Sequence, residues 1–128
     1  MIVLDTHVLY WSQTQGRKLS KRAAKLIEAE KSGGLAISAA TLVELAQMME
    51  RGKIIPRGTL EATLELLTEG IIIKPITPVI ASLSIQFPPD FPPDPMDRVI
   101  AATARAEGLL LVTADVHIQK CPLLNVVW

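Results

Sequence analysis

The sequence predicts an α/β fold, a three-layer α/β/α sandwich whose mostly parallel sheet of four or five strands lies between two layers of helices. Short apolar runs alternate along the chain with longer stretches that have helical periodicity. The runs MIVL, GIII and LLLV are apolar throughout, which is typical of strands buried on both faces. Because 128 residues is the length of one ordinary domain, we expect a single domain over residues 1–128.

The elements follow one another in a regular order. Strands are predicted at residues 1–4, 35–37, 70–73 and 109–112, with a short fifth strand at 125–127. Helices are predicted at residues 20–31, 40–51, 59–67, 78–85 and 94–107. Gly52 and Gly108 are the expected helix stops, because glycine readily adopts the left-handed conformation that ends a helix. Strands that alternate with helices form βαβ units, and these units give a parallel sheet covered on both faces.

The composition excludes several classes of protein. Thirteen basic and thirteen acidic residues give no net charge, which argues against binding nucleic acid or a membrane surface by bulk positive charge. An aromatic content of 4% argues against the stacking sheet of a single-strand-binding protein. No apolar run approaches the ~18 residues of a spanning helix. The single cysteine, Cys121, excludes an internal disulfide and fits a reducing cytosol, so we expect a cytoplasmic protein.

Acidic residues fall near the carboxyl ends of the predicted strands. Asp5 directly follows the first strand, and Asp115 comes shortly after the fourth. Glu44 lies near the start of the helix that follows the second strand, and Asp94 and Asp97 begin the helix that precedes the fourth. Open parallel sheets bind their ligands at this edge. Carboxylates that meet there repel one another unless a cation is bound, and oxygen ligands with few His or Cys nearby select Mg²⁺ or Mn²⁺.

Each acid also has a structural alternative. Thr41 and Glu44 match a capping box, in which Glu44 would only satisfy free N–H groups of a helix. Asp94 is well placed as a helix N-cap before a proline, and Asp115 would serve as a turn or cap residue. Asp5 lies between the apolar runs MIVL and VLYW, where a carboxylate is hard to explain unless it binds something.

Four motifs carry a resemblance to a known family. The segments LDTHVLYW, ISAATLVELA, DPMDRVIAATA and LLLVTAD, in this order and spacing, resemble the PIN-domain ribonucleases. More narrowly, they are similar to the VapC-type toxins of toxin–antitoxin pairs, and the resemblance spans the whole chain. It implies a PIN-like, Rossmann-like fold and an endoribonuclease that uses Mg²⁺ or Mn²⁺ to hydrolyse RNA phosphodiester bonds. The implied products carry a 5′-phosphate and a 3′-hydroxyl.

The resemblance also implies which residues act. The four catalytic acids of the family fall on Asp5, Glu44, Asp97 and Asp115 of this sequence. By resemblance, one or two ions are held by Asp5, Asp97 and Asp115, with Glu44 as a further ligand or as a support for them. Asp94 matches an additional acid that part of the family carries and is a secondary metal candidate.

Further residues are expected to support this site. Thr6 and Thr113 stand where members of the family often have a hydroxyl beside the metal. Arg98 is expected to pair with one of the acids or with a phosphate, the alternative being a surface ion pair. The duplicated tetrapeptide FPPDFPPD precedes the acids at 94 and 97 and is predicted to be a rigid spacer.

The expected partners are RNA, a cognate antitoxin and a second copy of the chain in a homodimer. By resemblance, the helices at 40–51 and 59–67 form the groove that holds an antitoxin segment and contribute to the dimer. From the residues alone, their shared apolar face could equally belong to the core. That face consists of Leu42, Leu45, Met49, Leu60 and Leu64.

Two other functions remain open at this stage. A phosphohydrolase on a similar sheet would need a second aspartate two residues after Asp5, where the sequence has His7, or paired acids before Asp5, and a lysine just after a later strand. A catalytically silent PIN-like module would bind RNA or protein with the same fold. Two basic clusters are either solvated surface or contacts to RNA phosphates, and they comprise Arg17, Lys18, Lys21, Arg22 and Lys25 in one and Arg51, Lys53 and Arg57 in the other.

Overall fold

Five parallel strands form one sheet in the computed structural model, which describes residues 1–128. In chain order the strands are β1 (Ile2–Leu4), β2 (Leu35–Ser38), β3 (Ile72–Lys74), β4 (Leu110–Val112) and β5 (Val126–Val127). Their order across the sheet is β3-β2-β1-β4-β5, and every neighbouring pair is parallel. The predicted parallel sheet, including its short fifth strand, is confirmed.

Seven helices surround the sheet. They are α1 (Thr6–Thr14), α2 (Lys21–Glu30), α3 (Ala39–Glu50), α4 (Leu60–Leu67), α5 (Pro78–Ser84), α6 (Pro95–Glu107) and α7 (Val116–Gln119), with a short 3-10 helix at Gly16–Lys18. Helices α2 to α6 lie where the periodicity predicts them. Helix α1 was not predicted, because it begins directly after a strand and is rich in β-branched and aromatic residues of modest helix propensity. Helix α7 is a single turn, too short to show a period.

The sheet separates two apolar cores, because successive side chains of a strand point to opposite faces. Ile2 and Leu4 of β1 pack in one core with residues of α1, α2, α3 and α4. Val3, between them, packs in the other core with residues of α5, α6 and α7. The predicted three-layer arrangement is therefore confirmed. No helix is long and apolar enough to span a membrane.

The strand β3 differs from its prediction. Its apolar sequence predicted burial on both faces, but Ile72 is 38% exposed and Ile73 is 43% exposed. The reason is its position, since β3 pairs only with β2 and forms one edge of the sheet. The apolar face predicted on α3 and α4 is also only partly buried: Leu45 and Met49 belong to the core, whereas Leu60 is 52% exposed.

The strand order changes direction between β1 and β4, which are neighbours at the centre of the sheet. From β1 the chain proceeds through β2 to β3 on one side, and then crosses to β4 and β5 on the other. Such a switch point leaves a crevice at the carboxyl ends of the two central strands, where α/β proteins bind their ligands. Leu4 pairs with Val112, so the next residue of each strand, Asp5 and Thr113, lies at the mouth of this crevice.

The start of α3 corrects the predicted capping box. Ser38 is the N-cap of this helix, and its hydroxyl oxygen accepts a hydrogen bond from the backbone N–H of Ala40 at 3.1 Å. Thr41 lies inside the helix, so the capping box of Thr41 and Glu44 is wrong. The carboxylate of Glu44 is thereby free for another task.

We expect Ser38→Ala to lower the free energy of unfolding by about 1 kcal/mol, because the mutation removes the N-cap acceptor of α3. Chemical denaturation measures this loss. The matched control is Ser32→Ala, which changes an exposed serine that caps no helix. Equal stability of the two variants would show that Ser38 is not the cap.

Candidate active site

Three carboxylates meet at the mouth of the crevice. Oxygen atoms of Asp5, Glu44 and Asp97 all lie within 4.8 Å of one another. Asp5 is the N-cap of α1, Glu44 lies in the second turn of α3, and Asp97 lies in the first turn of α6. These three residues, hereafter the carboxylate cluster, therefore come from three segments that the parallel sheet brings to one edge.

Asp5 is held from both sides of its carboxylate. Its Oδ1 accepts a hydrogen bond from the backbone N–H of Thr6 at 2.9 Å, and its Oδ2 accepts one from the hydroxyl of Thr113 at 2.7 Å. The same hydroxyl accepts a bond from the backbone N–H of Asp115 at 3.1 Å. Burial raises the pKa of Asp5, and these hydrogen bonds lower it without cancelling the effect of burial.

Glu44 is oriented by a pair of threonine hydroxyls. Thr6 donates its hydroxyl proton to Oε1 of Glu44 at 2.6 Å. Because a threonine has a single hydroxyl proton, the 3.1 Å contact between the hydroxyls of Thr6 and Thr41 must use a proton from Thr41. Burial raises the pKa of Glu44, the bond from Thr6 lowers it, and the negative charge of Asp5 raises it further.

Asp97 has no hydrogen-bond donor within the protein, although it lies near the N-terminus of α6. Burial, followed by repulsion from the charges of Asp5 and Glu44, raises the pKa of Asp97 from an ordinary value of 3.8 to about 7. Without a cation, the carboxylate cluster therefore cannot easily carry all of its negative charges at neutral pH.

Asp115 and Asp94 act as helix caps beside the carboxylate cluster. Oδ1 of Asp115 accepts bonds from the backbone N–H groups of His117 at 2.8 Å and Ile118 at 3.2 Å, which leaves Oδ2 without a protein donor. Oδ1 of Asp94 accepts a bond from the backbone N–H of Met96 at 2.8 Å. The structure therefore brings together three of the four predicted acids, and Asp115 stands outside that closest set.

Both caps still influence the cluster through their charge. The charge of Asp115 raises the pKa of Asp5 and of Asp97. The charge of Asp94 raises the pKa of Glu44 and of Asp97. All five predicted acids therefore interact electrostatically. Asp94 and Asp115 cap helices and also act on the carboxylate cluster through their charge.

Arg98 pairs with no carboxylate, so the predicted ion pair with one of the acids is wrong, and its predicted pairing with a phosphate stays a prediction. Its Nε donates to the backbone oxygen of Pro92 at 3.0 Å, and a terminal nitrogen donates to the backbone oxygen of Phe91 at 3.3 Å. Its guanidinium carbon also lies 5.6 Å from the centre of the Phe91 ring. Arg98 therefore binds the proline-rich loop rather than an acid.

The loop is held by more than this one arginine. The rings of Phe87 and Phe91 are stacked with their centres 4.3 Å apart, and the guanidinium of Arg105 lies 5.9 Å from the ring of Phe87. Two arginines and two phenylalanines thus form a stack that fixes the loop against α6. These contacts explain how the proline-rich segment, predicted to be a rigid spacer, is held in one conformation. One signal in the sequence could have indicated this stack: Arg98 and Arg105 are seven residues apart, so they lie on the same face of α6.

The donor set of the cluster fits a divalent cation. All three side chains offer carboxylate oxygens, none of them is His or Cys, and Asp97 lacks any donor that would compete with a metal. Mg²⁺ and Mn²⁺ prefer such oxygen ligands. A bound cation would also relieve the repulsion that raises the pKa of Asp97.

Comparison with known proteins decides the family. The PIN domain family matches residues 2–122. Ribonuclease VapC22 of Mycobacterium tuberculosis is 37% identical to this chain over 119 residues, which cover 93% of the chain and 90% of the relative. The chain is a PIN-domain protein of the VapC type. The family predicted from the four motifs is therefore confirmed.

Solved structures share the PIN-domain fold at lower sequence identity. The DNA-bound VapBC of Salmonella typhimurium matches with a TM-score of 0.76 and 21% identity, over 99% of this chain and 98% of the other. VapBC2 of Rickettsia felis bound to a promoter DNA fragment matches with a TM-score of 0.75 and 19% identity, over the same shares of the two chains. VapC20 of Mycobacterium tuberculosis, a toxin that cleaves the sarcin-ricin loop, has a TM-score of 0.68 and 15% identity over 98% and 99%.

The stability of the metal-free PIN-domain protein should fall as the pH rises from about 5 to about 8. The folded state raises the pKa of Asp5, Glu44 and Asp97, so it binds their protons more tightly than the unfolded chain does. Loss of those protons therefore favours unfolding, and this penalty is complete once the pH exceeds the folded pKa values. Thermal unfolding in a chelator measures the effect.

The variant Asp97→Asn should weaken this pH dependence, because the amide carries no proton to lose in this range. Asp90→Asn, which alters an exposed acid outside the cluster, is the matched control and should keep the dependence of the parent. A melting temperature that rises with pH in the metal-free protein would contradict the assignment.

Thr113→Val should lower the free energy of unfolding by about 1–3 kcal/mol, because it leaves Oδ2 of Asp5 without a donor and the N–H of Asp115 without an acceptor. Thr103→Val is the control, since Thr103 is equally buried and its hydroxyl bonds only to a carbonyl of its own helix. Denaturant titration should show the smaller loss for Thr103→Val. A larger stability loss for Thr103→Val than for Thr113→Val would contradict the role assigned to the hydroxyl of Thr113.

Proposed function

We propose that this VapC-type protein is a metal-dependent endoribonuclease of the cytoplasm that hydrolyses RNA phosphodiester bonds as the toxin of a toxin–antitoxin pair. The observation that carries the proposal is the carboxylate cluster of Asp5, Glu44 and Asp97 at the switch point of the sheet. The relationship to a VapC ribonuclease supports it. The free cysteine fits a reducing compartment.

The residues that would hold the metal are Asp5, Glu44 and Asp97, with the unbonded Oδ2 of Asp115 and the carboxylate of Asp94 as further candidates. When bound, one or two Mg²⁺ or Mn²⁺ ions would supply Lewis-acid chemistry, offsetting phosphate charge and activating water. A catalytic site of this type needs no side-chain nucleophile. We expect products with a 5′-phosphate and a 3′-hydroxyl.

The task of the protein side chains is to fix the oxygens in advance. Thr113 and the backbone N–H of Thr6 each hold one oxygen of Asp5, so this carboxylate cannot rotate away from the crevice. Thr6 orients Glu44 in the same way from the neighbouring helix. Asp97 keeps a proton up to a pH of about 7 in the absence of metal, and releasing this proton prepares the cluster for a cation.

The central test of the proposal replaces single acids. Asp5→Asn and Asp97→Asn should each reduce RNA cleavage in the presence of Mn²⁺ by about 100-fold or more, because each removes one charged ligand. Asp90→Asn, at an exposed acid of the proline-rich loop, should cleave like the parent. Gel analysis of total RNA measures cleavage, and growth after induced expression in bacteria reports toxicity.

The outcomes separate the competing functions. If the parent cleaves RNA and Asp5→Asn does not, the nuclease is established. If neither protein cleaves RNA, the chain is a silent binding module or acts on another phosphate ester. Equal cleavage by the parent and Asp5→Asn would show that the cluster is not the catalytic site.

The antitoxin is proposed to bind a groove beside α1 and α4. A cavity of about 900 Å³ opens there, and its lining includes Tyr10, Ile54, Leu66 and Leu67 together with the basic residue Arg57. Its lining includes residues of α4, one of the two helices that the resemblance assigns to the antitoxin groove, and of the loop that joins α3 to α4. The homodimer also remains part of this proposal.

Leu66→Glu should weaken neutralisation by the antitoxin while leaving RNA cleavage unchanged, because Leu66 is exposed in the groove and lies outside the carboxylate cluster. Co-expression with the protein encoded by the neighbouring reading frame measures neutralisation through growth. Leu123→Glu, at an exposed leucine outside the groove, is the control. Full neutralisation of Leu66→Glu would place the antitoxin elsewhere.

A further inference from the structure

A row of aromatic rings begins beside the carboxylate cluster. Asp5 caps α1, and His7 and Trp11 lie one helical turn apart in this helix with their ring centres 5.8 Å from each other. The ring of Trp11 in turn lies 6.0 Å from the ring of Trp128. The helix that begins at the cluster therefore carries aromatic side chains away from it.

Trp11 is not explained by packing. It belongs to neither apolar core, whereas Trp128 packs against the core that includes Ile2 and Leu4. His7 is exposed and Trp11 is only partly buried. A tryptophan that rests on a second, anchored tryptophan while contributing to no core is available for a ligand.

A cation completes this surface. The amino group of Lys18 lies 5.8 Å from the centre of the Trp11 ring. Lys18 and Arg17 begin the basic cluster that continues into α2 with Lys21, Arg22 and Lys25. Rings next to basic side chains are the combination that binds single-stranded nucleic acid, because bases stack on the rings and phosphates pair with the cations.

The surface is continuous with the carboxylate cluster. His7 lies in the first turn of α1, two residues after Asp5, the N-cap of this helix. Trp11 follows His7 by four residues, an axial distance of about 6 Å in an α-helix. A phosphodiester at the cluster would therefore have a flanking base within reach of these rings.

We propose that the imidazole of His7 and the indole of Trp11 form a stacking site for a nucleobase of single-stranded RNA, adjacent to the carboxylate cluster. This inference rests on the proposed ribonuclease function and adds the mode of substrate binding. The low aromatic content argued against a stacking sheet, and the sheet indeed offers none. The rings stand on a helix instead.

Tryptophan fluorescence tests the stacking directly. The chain has two tryptophans, so Trp128→Phe leaves Trp11 as the only one. A single-stranded RNA oligonucleotide is titrated in a chelator, which keeps the RNA intact. An oligonucleotide of equal length and charge that lacks its bases serves as the comparison. We expect quenching by the first and little or none by the second. Equal quenching by both, or quenching by neither, would overturn the proposal.

Steady-state kinetics with Mn²⁺ provides the second test. Trp11→Leu should raise the KM for single-stranded RNA between about 5-fold and about 100-fold, the range expected for the loss of one stacked base. Trp11→Phe retains a ring and should remain close to the parent. The control Ile85→Ala removes a side chain that is 81% exposed far from the row, and its KM should not change.

The two proposals can fail separately. If the parent cleaves RNA and the KM of Trp11→Leu is unchanged, only the stacking site is wrong. If the parent cleaves no RNA, the ribonuclease proposal fails, and the fluorescence titration still decides whether Trp11 stacks on a base. Thermal unfolding of Trp11→Leu confirms that the variant is folded, and Trp11→Phe keeps the kinetic test informative should that variant unfold.

Discussion

The pairing of β1 with β4 is the constraint on which the rest of the site depends. The register that places Leu4 beside Val112 also places Asp5 beside Thr113, and the hydroxyl of Thr113 then bonds the carboxylate of Asp5. A shift of this register by one residue would turn one of the two side chains to the opposite face of the sheet and separate them. Asp5 in turn caps α1 through its bond with Thr6, and Thr6 orients Glu44. One strand pairing therefore positions two carboxylates through a chain of hydroxyl groups.

The site stores electrostatic repulsion that the rest of the fold must offset. Three carboxylates, two of them with few or no donors, face one another at the end of the sheet. The apolar core that α6 shares with α5 and α7, and the stack formed by Phe87, Phe91, Arg98 and Arg105, hold α6 in place against this repulsion. Proteins commonly accept such local destabilisation at functional sites, because the same charges bind the ligand.

Much of the fold could be predicted because its signals are local. Helical periodicity, apolar runs and the glycine at position 108 lie within short windows of sequence, and Gly108 does end α6 in the left-handed conformation. The exposure of Ile72 and Ile73 could not be predicted in this way, since an edge strand has the same apolar sequence as a central one. Only the order of the strands, which long-range contacts decide, distinguishes the two cases.

The acidic residues of the site could be predicted from the sequence, whereas the hydrogen bonds around them were harder to predict. The topology and the family resemblance together point to Asp5, Glu44 and Asp97. The parallel sheet brings these three side chains to one edge. The capping box failed because Ser38 reaches the helix N-terminus first. The ion pair of Arg98 with an acid was wrong because the direction of its side chain depends on the loop carbonyls of Phe91 and Pro92, which no residue pattern records.

The bond between Thr113 and Asp5 joins residues 108 positions apart in the chain. During synthesis, Asp5 leaves the ribosome long before Thr113 is made, and β4 and β5 are still to come. The first strand then lacks its central neighbour, and its carboxylate lacks the hydroxyl that fixes it. Domains acquire their native contacts only when the contributing segments are available. A nascent chain of this protein therefore has no assembled carboxylate cluster until it is nearly complete, because Asp97 and Thr113 both lie in the last third of the sequence.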